Sequence, residues 1–76
     1  MATETLVRMA NQIATFFHSM PEAERVPGVA THINKFWEPR MRAELFQLID
    51  AGGDGLDPLV LEAADQIRRP EHVDAR

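Results

Sequence analysis

The sequence predicts an all-α fold, a small bundle of three to four short helices, on three observations. Apolar residues recur at helical spacing and nowhere alternate in the manner of a strand. Prolines stand at the heads of the periodic segments and a Gly-Gly pair follows one of them, the asymmetry that helix starts and stops impose. With 76 residues and no cysteine, the chain can hold one domain at most, with a thin core and no disulfide to reinforce it. Residues 4–69 are expected to be ordered. The tail 70–76 is expected to be disordered, because it has too little apolar content to pack.

The first helix is expected over about Glu4 to His18. Its apolar residues, Leu6, Met9, Ala10, Ile13, Phe16, Phe17 and Met20, follow the i, i+3, i+4, i+7 pattern of one buried stripe. Thr3 is placed to cap it, Glu4 suits the positive end of its dipole, and His18 suits the negative end. Ser19 and Glu22 stand at capping-box spacing around Pro21. A proline inside a helix removes one backbone bond and clashes with the preceding turn, costing about 3 kcal/mol. Pro27 therefore predicts a split: a short turn over about 21–25, then a helix from near Pro27 to Trp37. Its inward stripe is Val26, Val29, Ala30, Ile33, Phe36 and Trp37.

Glu38-Pro39 restarts the chain in a third helix to about Ala51, with Met41, Leu45, Leu48 and Ile49 inward. Gly52 and Gly53 end it. Asp57-Pro58 opens a fourth helix, with Asp57 as cap. It buries Leu59, Val60, Ala63, Ala64 and Ile67, places Arg68 and Arg69 at its negative end, and stops at Pro70.

The composition argues against several classes of function. The net charge of −4 opposes the basic field that phosphate recognition requires. No apolar run approaches the ~20 residues that span a bilayer. Glu4 and Arg8 interrupt any secretory leader, so a cytoplasmic location is expected. A zinc site needs three or four converging ligands, and His18, His32 and His72 show no metal-binding spacing. Gly52-Gly53-Asp54-Gly55 lacks the Lys and Ser/Thr of a phosphate-binding loop. Asp54-Gly55-Leu56 mimics the setting of a carrier-protein arm site, but Gly stands where a hydroxyl would be needed. No catalytic constellation assembles, so no catalytic, cofactor-binding or metal residue is expected.

The stretch His32 to Arg42 has a character of its own. Adjacent residues on a helix point about 100° apart, so Phe16 with Phe17, and Phe36 with Trp37, do not fit one narrow inward stripe. At least one member of each pair is expected to face outward. Trp, Met and Arg are enriched at protein interfaces, and Arg can fork onto a partner carboxylate. His32, Phe36, Trp37, Pro39, Arg40, Met41 and Arg42 are therefore expected to form a partner interface. The plainer alternative for Arg40 and Arg42 is internal pairing with Glu38 or Glu44.

Leu6-Val7-Arg8-Met9-Ala10-Asn11-Gln12-Ile13-Ala14, Phe17, Ser19-Met20-Pro21, Ala30, His32-Ile33, Phe36-Trp37, Pro39-Arg40-Met41-Arg42 and Leu56-Asp57-Pro58-Leu59-Val60 resemble, in that order, the delta subunit of cytoplasmic NAD-dependent formate dehydrogenase. The likeness covers about residues 6–64, and Pro27 is its one departure. It implies a non-catalytic small subunit of a molybdenum or tungsten enzyme that oxidises formate and reduces NAD. By this resemblance the alpha subunit carries bis-molybdopterin guanine dinucleotide and iron–sulfur clusters. The beta and gamma subunits carry FMN and further clusters. The delta subunit stabilises the assembly and aids cofactor insertion. Two rivals stand beside it: a transient assembly chaperone that leaves the finished enzyme, and a small nucleic-acid binder using Lys35, Arg40 and Arg42.

Overall fold

A computed structural model describes residues 2–70. Four α-helices follow in order: α1 Thr3–His18, α2 Glu22–Phe36, α3 Pro39–Asp50 and α4 Pro58–Ala63. One 3-10 turn over Ala64–Gln66 continues α4, and no strand occurs among the described residues. The tail Glu71–Arg76, including His72, lies outside the described residues.

Helices α1 and α2 are joined by only three residues and pack along one another as an antiparallel hairpin. Small residues let them approach closely. Leu6, Ala10 and Ala14 on α1 and Val29, Ala30 and Ile33 on α2 are all buried. Leu45 and Phe46 of α3 add to this core. Leu56, Leu59, Val60, Ala63 and Ile67 complete it from the α4 segment.

Helix α2 is continuous through Pro27, which corrects the expected split. Pro27 and the residue four positions earlier, Ala23, are both exposed. The carbonyl left without a donor therefore faces water, and only one bond is lost. Neither expected cap on the first two helices forms. Ala2 precedes α1, and Thr3 is already helical. Ser19 donates instead to the Phe16 carbonyl at 2.7 Å, and Arg25 covers the turn by donating to the Met20 carbonyl at 2.8 Å.

Other boundaries agree with expectation. Pro39 opens α3. Gly52 and Gly53 close it at φ +118° and +71°. Their N–H groups donate to the Ile49 and Leu48 carbonyls at 3.0 and 2.8 Å, the paired bonds of a Schellman ending. Asp57 caps α4, accepting from the Leu59 N–H at 2.8 Å.

The fourth helix is shorter than its apolar pattern predicts, and Arg68 and Arg69 do not sit at a helix end. Ile67 is extended, at φ −87° and ψ 130°. The side-chain amide of Asn34 supplies the bonds that a longer helix would have made. It donates to the Gln66 carbonyl at 2.9 Å and accepts from the Arg68 N–H at 2.7 Å. Asn11 does the same at the other end, donating to the Gly55 carbonyl at 2.9 Å and accepting from the Asp57 N–H at 2.8 Å. Two asparagines on two different helices thus clasp the segment that contains α4, each spanning a residue and its second neighbour.

Candidate partner interface

The corner between α2 and α3 contains the sequence-predicted interface residues, and the fold divides them. Trp37 leaves the helix with extended backbone, at φ −89° and ψ 134°, and its ring turns into the core. It is 5% exposed, whereas Phe36 beside it is 64% exposed. One member of the pair faces outward, as the 100° step requires. The expectation that Trp37 itself is surface is corrected.

Arg42 is also buried, which corrects both its expected exposure and its pairing with Glu38 or Glu44. Its Nη1 donates to the Trp37 carbonyl at 2.8 Å and its Nε to the Arg68 carbonyl at 3.1 Å. Two backbone acceptors supply the hydrogen bonds that a buried guanidinium needs. Of the remaining residues, Pro39 and Arg40 are exposed, and His32 and Met41 are half-buried. Met41 packs against the core.

A second aromatic element, from α1, lies beside Phe36 and His32. The first helix carries two apolar stripes instead of one wide one. Leu6, Ala10 and Ala14 face the core, whereas Met9, Ile13 and Phe16 line an open groove of about 510 Å³ with Phe17, His32 and Trp37. Phe16 is 61% exposed and meets Phe17 edge-on, with ring centroids 4.9 Å apart. The His32 ring lies against Phe36 at 4.8 Å, and the Lys35 ammonium sits 5.8 Å from the Phe36 centroid. A second hollow continues the surface along α2, between Glu24 and Lys35.

Gly28 makes this arrangement possible. A Cβ there would collide with the Phe17 ring, so a glycine is required for Phe17 to pack this closely on α2, where it lines both hollows. One member of the Phe16–Phe17 pair faces outward as expected, but sequence reasoning missed Met9 and Ile13 beside it. The signal was present as the spacing 9, 13, 16, offset by one step from 6, 10, 14.

His18 takes no part in this face. Its Nε2 lies 3.0 and 3.1 Å from the two Asp57 carboxylate oxygens, so it serves α4 besides standing at the end of α1. Burial pushes the Asp57 carboxyl up, but the Leu59 N–H and His18 outweigh that and hold it below its usual range. Among the described residues no three His, Cys, Asp or Glu converge as a metal site. No described helix is long and apolar enough to cross a membrane. The face is apolar and aromatic, with Lys35 and Glu24 at its rim.

The family model of the NADH-dependent formate dehydrogenase delta subunit, FdsD, matches residues 5–64. The chain belongs to this family of small auxiliary subunits. A comparison with curated proteins finds no match. The matched span contains most of α1 and all of α2, α3 and α4, and so includes every residue of the aromatic face.

Proposed function

We propose that this FdsD-family chain is a non-catalytic subunit that docks on the catalytic alpha subunit of a formate dehydrogenase, beside beta and gamma subunits, and stabilises the assembly. The observation that carries this is the exposed aromatic face of Phe16, Phe36 and the groove between them, on a chain of the delta-subunit family. Large exposed aromatics are what a hot spot requires, and a thin core gains stability from any partner that binds only the folded state. Bis-molybdopterin guanine dinucleotide, iron–sulfur clusters and FMN are assigned to the partner subunits. Iron–sulfur ligation uses cysteine thiolates, and this chain has none.

The docking patch is proposed as Phe36, Pro39 and Arg40 with the flanking His32 and Met41, extended by Phe16. Trp37 and Arg42 support it from beneath. The role extends to the loading of the molybdenum cofactor, in the cytoplasm.

The test is co-purification of Phe36→Ala and Arg40→Ala variants with the alpha subunit, together with deletion of the chain. Deletion is expected to lower formate oxidation and molybdenum content together. Retention of both variants as tightly as the parent would contradict the proposed patch. Absence of the chain from the purified active enzyme would make it a departing chaperone instead.

A further inference from the structure

We infer that the α1–α2 groove receives an amphipathic helix of the partner, lying antiparallel to α2, with a carboxylate against Lys35 and a cation against Glu24. This rests on the docking role above and specifies the element that is docked.

The groove is walled by two antiparallel helices, with Met9, Ile13 and Phe16 on one wall and His32 on the other; Phe17 and His32 also line the second hollow, which extends the surface along α2 to Phe36. A furrow between paired helices with apolar rungs one turn apart fits a third helix whose anchors recur at i, i+3 or i+4, and i+7. Strand addition has no template here, because no strand exists among the described residues.

The charges set orientation and register. Glu24 and Lys35 both border the second hollow, both are exposed, and neither is in a salt bridge among the described residues. At 1.5 Å rise per residue they stand about 16 Å apart along α2, roughly three turns. No carboxylate lines the deeper hollow, although the chain as a whole carries −4. The complementary helix therefore carries its acid at the Lys35 end and its base about three turns on. Helices place acids in their first turn and bases in their last. The partner helix accordingly starts beside Lys35, where α2 ends, and runs against it.

The experiment measures affinity of the full chain for the purified alpha subunit at low and high salt, using Lys35→Glu, Glu24→Lys and Phe36→Ala. Both charge reversals are expected to weaken binding roughly fivefold at low salt, and the loss is expected to shrink as salt screens the pairs. Phe36→Ala is expected to lose about tenfold at either salt. If the reversals bind like the parent while Phe36→Ala is weakened, docking stands and the charged-helix assignment is overturned. If Phe36→Ala also binds like the parent, docking on this face falls. Hydrogen exchange of the alpha subunit with and without the chain supplies a second check. Protection is expected over a helical segment of about three turns with an acid near its start; protection confined to a strand or a proline-rich segment overturns the proposal.

Discussion

On one side of α1, Asn11 and His18 reach across to the segment that begins α4. On the other side, Met9, Ile13 and Phe16 form one wall of an open groove. The first side is held by directional bonds, from Asn11 to two backbone atoms and from His18 to the Asp57 carboxylate, backed by fully buried small residues. The second side carries more aromatic surface but has no such bonds. One helix thus serves as part of the fold along one edge and as part of a contact surface along the other. Polar side chains secure the α4 segment along one edge of α1, which leaves large apolar ones on the other edge free for binding.

Substitutions can sharpen that contrast, and the largest effect is expected at the corner of α2 and α3. Trp37→Ala removes a buried ring and is expected to cost about 3–5 kcal/mol in chemical denaturation. On the clasped side, Asn11→Ala strands the Asp57 N–H and the Gly55 carbonyl, for an expected loss of about 2 kcal/mol. Asn34→Ala is expected to cost about 1 kcal/mol, because its bonds are more exposed. A gradient in the opposite order would mean that the α4 segment is held from its far end. Gly28→Ala displaces the Phe17 ring and is expected to cost about 1–2 kcal/mol while weakening partner binding.

Acid probes the clasped side through Asp57. The Asp57 carboxyl is held below 3.8 in the fold. Its contribution is therefore present above that value and is lost as pH falls through the lowered one. The stability difference between the parent and Asp57→Asn is expected to narrow below about pH 4. A difference that stays constant down to pH 2 would show that His18 and Leu59 do not stabilise the ionised form. The smallest stability effect is expected on the groove side, where Phe36→Ala should stay within about 0.5 kcal/mol of the parent while affinity for the alpha subunit drops. If it destabilised the free chain as much as Trp37→Ala, the distinction between the two sides would fail.

Much of the fold is legible in the sequence because its signals are local. Pro39, Pro58, Asp57 and the Gly52-Gly53 pair act on their own backbone, and the structure places them where local chemistry predicts. Pro27 misled because its cost depends on whether the orphaned carbonyl faces water, a tertiary fact. The end of α4 was misjudged for a similar reason. Its apolar pattern runs on to Ile67, but Asn34, more than thirty residues earlier, supplies the bonds that let the chain leave the helix. A lone Asn in a polar row gives no sign of such a reach. The candidate face was half legible. A Phe-Trp pair announces that one ring must point outward but not which, and that choice is made by Trp37 turning extended after the last turn of α2.

Arg42 links places that the chain order separates. Its two bonds tie the carbonyl of Trp37, whose ring floors the groove, to the carbonyl of Arg68, just before the end of the described chain. If seating a partner in the groove shifts Trp37, the Arg42 bonds would pass that shift to Arg68, and any such coupling acts equally in both directions. A helix seated in the groove is expected to slow amide exchange at Arg68, and an extension or tag that tugs on Arg68 is expected to loosen the seat.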